Sequence, residues 1–180
     1  MIDERLDLDL ILEIARQLPM ATIRLIGPAT IPLHLFAGVA NIQLEPAKPY
    51  EDLPETLHTA NVFVLPFLLS ELSCSCSPLK IKEYLACARP VISTALPEAE
   101  RLSQFVHVAK DRNAFVEAVI AATEGRLCFD TQRVRRFIES ETWLFKALEF
   151  SQLVNELHPG KITSKSPRIA REEPSAPSSH

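Results

Sequence analysis

Short apolar runs alternate with segments of helical periodicity, and this alternation limits the possible folds more than any other feature of the chain. The runs are Ala21–Ile26, closed by Gly27 and Pro28; Asn41–Leu44; Val62–Leu65, closed by Pro66; Pro90–Ser93; and Phe105–Ala109. Each has the length and turn-forming flanks of a strand. Residues 3–18 read as a helix that places Leu8, Ile11, Leu12, Ala15 and Leu18 on one face and stops at Pro19. Further helices are expected at Tyr50–Thr59, Pro78–Ala88, Pro97–Ser103 and Asp111–Thr123, with residues 67–76 forming a loop rich in serine and cysteine. Strands and helices alternating at this pitch build a parallel sheet covered on both faces. The uninterrupted run Val62–Leu65 suits a strand buried on both sides. The expected fold class is therefore α/β, a Rossmann-like parallel sheet flanked by helices.

Two more helices, about 129–140 and 142–157, follow the last strand and are not needed to complete such a sheet. From His158 onward, Pro159, Pro167, Pro174 and Pro177 stand among serines and charges, so residues 158–180 are expected to be a disordered tail. The expected organisation is one domain over 1–157 followed by that tail.

A chain of 180 residues, 47% of them apolar, suffices for one domain with a real core. The net charge of −4 argues against nucleic acid or an anionic membrane as partner, because no basic excess exists to neutralise phosphates. Apolar runs are broken before 18 residues, so no transmembrane segment is expected. The start lacks the pattern of a secretory signal, which leads to the expectation of a cytoplasmic protein. Cys74 and Cys76 form a C-x-C pair without a second metal-type cluster, and the five histidines are scattered. No metal is assigned, and the thiols read as free.

In an open α/β sheet, ligands bind beyond the carboxyl ends of the strands, at helix N-termini. Val62–Leu65 leads toward such a place. Ser77 suits an N-cap and Pro78 the first helical position, which leaves the N–H groups of Leu79 and Lys80 among the orphan donors of the first turn. On that reading Lys80 takes the third helical position, where the helix dipole favours an acid. A bound anion would reverse the sign. Glu83 lies one turn on and could accept two hydroxyl hydrogen bonds, as a ribose offers. The same spacing is also that of an ordinary surface i, i+3 ion pair.

A set of ordered segments carries a family resemblance: Tyr50-Glu-Asp-Leu-Pro54, Ala60-Asn-Val-Phe-Val-Leu-Pro66, Ser77-Pro-Leu-Lys-Ile-Lys-Glu-Tyr-Leu-Ala86 and Arg89-Pro-Val-Ile-Ser-Thr94. Together with Ile2–Ile11 and Thr142-Trp143, they resemble the donor domain of family 4 (group 1) retaining glycosyltransferases over about residues 2–157. The resemblance implies the C-terminal half of a GT-B fold that binds a nucleotide diphosphate sugar for metal-independent, configuration-retaining transfer, with no cofactor. It implies that Glu83 holds the ribose hydroxyls, that Pro78, Leu79 and Lys80 meet the diphosphate, and that Arg5 places its charge against that diphosphate. No catalytic residue is assigned.

Some positions depart from the family pattern. Ser75 stands where the family's first paired glutamate falls, and Ala88 and Pro46 stand where glycine is usual. The resemblance also implies that the first strand is missing ahead of Met1, that a separate N-terminal half would be the partner, and that this chain alone is inactive. The closing helix, which carries Trp143 and Leu144, would then either show apolar surface or fold back on its own domain. A non-catalytic interaction module that keeps the fold without donor binding is the alternative. A receiver-like signalling domain fits the alternation but lacks an Asp at the ends of Ile23–Gly27 and Val62–Pro66.

Overall fold

The computed structural model describes residues 1–75 and 79–157. The chain forms two compact units, Met1–Ser140 and Glu141–His180. Ser77, Pro78 and the expected tail lie outside the described residues.

In the first unit, α1 (Leu8–Gln17) is followed by β1 (Ile23–Ile26), a 3₁₀ turn (Leu33–Phe36), β2 (Ile42–Glu45) and α2 (Leu53–His58). Next come β3 (Phe63–Leu65), α3 (Glu71–Ser75), α4 (Lys80–Ala86), β4 (Val91–Thr94), α5 (Pro97–Arg101), β5 (His107–Ala109), α6 (Arg112–Thr123) and α7 (Thr131–Ser140). All strand pairing in these elements is parallel, in two sheets of order β1-β2 and β3-β4-β5. The expected α/β class and parallel pairing are observed. The strands are split between two sheets where the sequence reading has one.

Period-2 alternation distributes the core. Phe63, Leu65 and Val91 point to one face of the three-stranded sheet and pack with Ile81 and Leu85 of α4 and Val134 of α7. Val64 and Ile92 point to the other face, against Leu10 and Ile14 of α1 and Phe115 and Val119 of α6. Helices on both faces explain why β4 is apolar on successive residues. Burying each such side chain stabilises the fold by roughly 1.5–3 kcal/mol.

Helix boundaries follow local chemistry. Asp7 caps α1 by accepting the Leu10 N–H at 2.9 Å, and Asp111 caps α6 by accepting from Ala114 at 2.8 Å. Residues 3–7 are consequently not helical, a correction to the helix read over 3–18. They instead cross the strand ends as a loop. Asn41 fastens β2 to α1: its side-chain amide donates to the carbonyls of Ala15, Leu18 and Ala21 at 3.0, 3.0 and 3.1 Å. The loop read at 67–76 contains α3, whose start is tied by the Ser70 hydroxyl accepting the Ser73 N–H.

The second unit is described through α8 (Trp143–Leu157). The Thr142 hydroxyl accepts the Phe145 N–H at 3.3 Å as its cap, and Lys146 pairs with Glu141 at 3.1 Å. Among the described residues no helix is long and apolar enough to cross a membrane.

Candidate functional site

The loop from Ile2 to Asp7 lies across the carboxyl ends of β1 and β3. Ile2 donates its N–H to the Pro28 carbonyl at 2.8 Å and accepts from Thr30 at 2.9 Å, just beyond the end of β1. At the other end, Asp7 donates to the Pro66 carbonyl at 2.8 Å, and Leu68 donates to the Arg5 carbonyl at 2.7 Å, just beyond β3. The Thr94 hydroxyl secures the same corner by donating to the Phe67 carbonyl at 2.8 Å. This is the end of the sheet where open α/β folds place their ligands.

Arg5 sits in that loop, where the Asp3 carboxylate holds its guanidinium. Nε donates to Oδ1 at 2.9 Å and Nη2 to Oδ2 at 2.5 Å. The guanidinium also lies over the Phe67 ring, 5.9 Å from its centroid. Asp3 is buried, and the hydrogen bond from the Arg5 side chain is the main cause that holds its carboxyl below the usual aspartate range, against the opposing effect of burial. The sequence reading missed Asp3. Its only signal was an acid two residues before a base, a spacing too common to single out.

Lys80 opens α4, whose first turn closes on the Leu79 carbonyl; that carbonyl accepts from the N–H groups of Lys82 and Glu83 at 3.0 and 3.2 Å. α4 is described from Lys80 onward, with helical dihedrals at Leu79 and no side-chain capping bond there; Ser77 and Pro78, the expected cap and first helical position, lie outside the described residues. Leu79 is exposed, as are Lys80 and Glu83. Among the described residues, Lys80 and Glu83 form no ion pair with each other.

Both side chains border a single cavity of about 550 Å³, together with Met1, Leu6 and Tyr84. The Met1 ammonium is pushed below its ordinary value, first by burial and then by the positive charges of Lys80 and Arg5, with Asp3 opposing. Lys80 and Arg5 are thus within electrostatic reach of one point near the strand ends. Tyr84 turns inward to stack on Phe63, with ring centroids 4.3 Å apart, and burial raises its phenol to about 12. Of the residues expected at the site, Arg5 lies in the loop across the strand ends, Leu79 precedes α4, and Lys80 and Glu83 of α4 line the cavity between β1 and β3. Pro78 is outside the described residues.

α4 ends in a strained position. Ala88 has φ +54°, the left-handed region that favours glycine, and its N–H donates to the Leu85 carbonyl at 2.9 Å. It is among the positions at which the family resemblance calls for glycine.

Comparison with known proteins agrees with this architecture. The sequence profile described as "Glycosyl transferases group 1" matches residues 5–124. No curated protein sequence is significantly similar to the chain. Among solved structures, WaaG, a glycosyltransferase involved in lipopolysaccharide biosynthesis, superposes with a TM-score of 0.61 at 17% identity. The match covers 87% of this chain and 44% of WaaG, so the chain spans less than half of that protein's length. At this identity the likeness is one of fold: parallel sheets flanked by helices, as in one half of a GT-B enzyme.

Proposed function

The chain belongs to the group 1 glycosyltransferases, and from that premise we propose that it is a donor-binding half that takes up a nucleotide diphosphate sugar at the start of α4. The observation that carries this reading is that Lys80 and Glu83 of α4 both line the cavity between β1 and β3, whose lining reaches Ile26 and Leu65 at the carboxyl ends of those strands. Lys80 would meet the diphosphate at the helix start, with the amide of Leu79 and with Pro78 beside it. Glu83, one turn along and exposed, would accept the two ribose hydroxyls. Arg5 would add positive charge on the far side of the diphosphate.

In the proposed reaction the bond between the anomeric carbon and the diphosphate oxygen breaks, and negative charge grows on the departing diphosphate. Fixed positive charges at that point lower the barrier by electrostatic stabilisation. Configuration-retaining transfer without a metal or other cofactor, and a cytoplasmic setting, belong to the same proposal. So does a separate N-terminal half that supplies the acceptor site, without which this chain would turn over no sugar.

One observation favours the second reading, a domain that keeps the fold without donor binding. Arg5 is already held by a buried carboxylate that would compete with a diphosphate. Titration calorimetry with UDP and with GDP separates the two readings. The donor-binding reading expects heat from one nucleotide and loss of that heat in Lys80→Ala. Silence from both nucleotides with a folded sample would favour the second.

A further inference from the structure

β4 ends on Thr94, after Val91, Ile92 and Ser93. Threonine has the branched shape that suits a strand, like the valine and isoleucine before it, and adds a hydroxyl. That hydroxyl reaches out of β4. It donates to the Phe67 carbonyl at 2.8 Å, with the Leu65 carbonyl farther off at 3.4 Å. Phe67 lies past the last pairing of β3 with β4, so the ladder supplies no donor to its carbonyl.

Phe67 is also the residue on which Arg5 rests. The two segments run antiparallel with Leu6 opposite Phe67. Asp7 donates to the Pro66 carbonyl at 2.8 Å, and Leu68 donates to the Arg5 carbonyl at 2.7 Å. The Arg5 guanidinium lies over the Phe67 ring, 5.9 Å from its centroid. The ring itself packs against the core cluster of Leu65, Ile81 and Leu85. From another side the Asp3 carboxylate holds the guanidinium through Nε and Nη2. Thr94 thus fixes the Phe67 backbone, and Phe67 supports one face of the Arg5 head group.

An arginine side chain carries much rotamer freedom, which is given up when it clamps an anion. A guanidinium already seated on a ring loses less when a phosphate arrives. The Asp3 carboxylate orients Arg5 but also offsets its charge. The Phe67 ring orients it without supplying a competing anion.

We propose that Thr94 is a positioning residue for Arg5, acting through Phe67, and that this link sets how strongly the site prefers a nucleoside diphosphate to a nucleoside monophosphate. The role rests on the donor-binding reading, in which Arg5 faces the diphosphate. Glu83 holds the ribose on that reading, so loosening Arg5 weakens the diphosphate and leaves the monophosphate little changed.

The test uses the full chain, with affinities for UDP, UMP, GDP and GMP read by NMR titration. For the diphosphate that binds, its affinity relative to the matching monophosphate should fall about fivefold or more in Thr94→Val, which keeps the shape and removes the hydroxyl. Thr94→Ser, which restores the donor, should keep the parent ratio. In an Arg5→Ala background the ratio is already low, and Thr94→Val should lower it no further. Phe67→Leu keeps the carbonyl and removes the ring, so it should lower the ratio as well, and it reads the same link if Thr94→Val does not fold. A parent-like ratio in folded Thr94→Val or Phe67→Leu would overturn the role of Thr94, even where both nucleotides bind more weakly. An equal further loss on top of Arg5→Ala would also overturn it, by placing the effect outside Arg5. A folded parent chain that binds neither UDP nor GDP would overturn the donor reading itself, and the role of Thr94 with it.

Discussion

Arg5 and Asp3 clasp each other across a single intervening residue, with Nε on Oδ1 at 2.9 Å and Nη2 on Oδ2 at 2.5 Å. Because Asp3 is buried and Arg5 part-exposed, the pair anchors the loop that joins the ends of β1 and β3. Arg5→Ala leaves a buried carboxylate without its main partner, and a loss of about 1–3 kcal/mol is expected. Urea unfolding of Arg5→Ala, Asp3→Asn and the double variant checks this. The double variant should be less destabilised than the sum of the singles, and strict additivity would mean the two side chains are not coupled.

The same pair predicts an acid sensitivity. Arg5 lowers the Asp3 carboxyl below its ordinary 3.8 in the folded state. A depressed acid adds stability that is present above the unfolded value and is lost as pH falls through the folded one. Glu45, held down to about 2 by hydrogen bonds from Arg24 and Lys48, acts in the same direction. Asp3→Asn should therefore have a shallower fall in thermal midpoint between pH 5 and pH 3 than the parent chain, with the Glu45 contribution common to both. Parallel curves would remove Asp3 from the account.

Ala88 is the non-glycine residue with positive φ among the described residues, at +54°. An L side chain in the left-handed region costs about 1–2 kcal/mol, while glycine brings an unfolded-state entropy cost of roughly half that. Ala88→Gly should therefore stabilise the protein by about 0.5–1 kcal/mol, which a thermal melt would read as a rise of about 1–4 °C. A lower midpoint would show that the methyl group contributes packing that outweighs the strain.

Ile92 is fully buried at the centre of the three-stranded sheet, in the cluster with Leu10, Ile14 and Phe115. Ile92→Ala should cost about 2–5 kcal/mol in denaturant unfolding, through lost burial plus a residual cavity. A loss below about 1 kcal/mol would mean that α1 and α6 collapse onto the vacated space.

Much of this architecture is legible in the sequence, because β4 and β3 are apolar on consecutive residues and the helices carry their own stops. Parallel pairing and helices on both faces follow from that pattern alone. The extent of α1 was less legible. Leu6 and Leu8 fit the helical stripe on either side of Asp7, and only the capping bond from Leu10 to Asp7 decides where the helix begins. α3 was hidden because serine and cysteine are weak helix formers, and its start rests on a local bond from Ser73 to Ser70. At the site, Lys80 and Glu83 stand out by their position on a helix after a strand. Asp3 does not, since its importance comes from burial and from the orientation of Arg5, neither of which leaves a pattern in the chain.

Thermal unfolding of the purified chain with and without millimolar UDP, GDP and their sugar conjugates asks whether a nucleotide diphosphate sugar binds at the start of α4. A ligand that binds only the folded state stabilises it by mass action, by about 2.7 kcal/mol at a hundredfold excess over its dissociation constant, and so raises the midpoint. The account predicts a rise with one nucleotide series and none with the other, abolished by Glu83→Ala in a variant that still melts cooperatively. A folded parent chain whose midpoint moves with neither series, or a rise that survives Glu83→Ala unchanged, would contradict it.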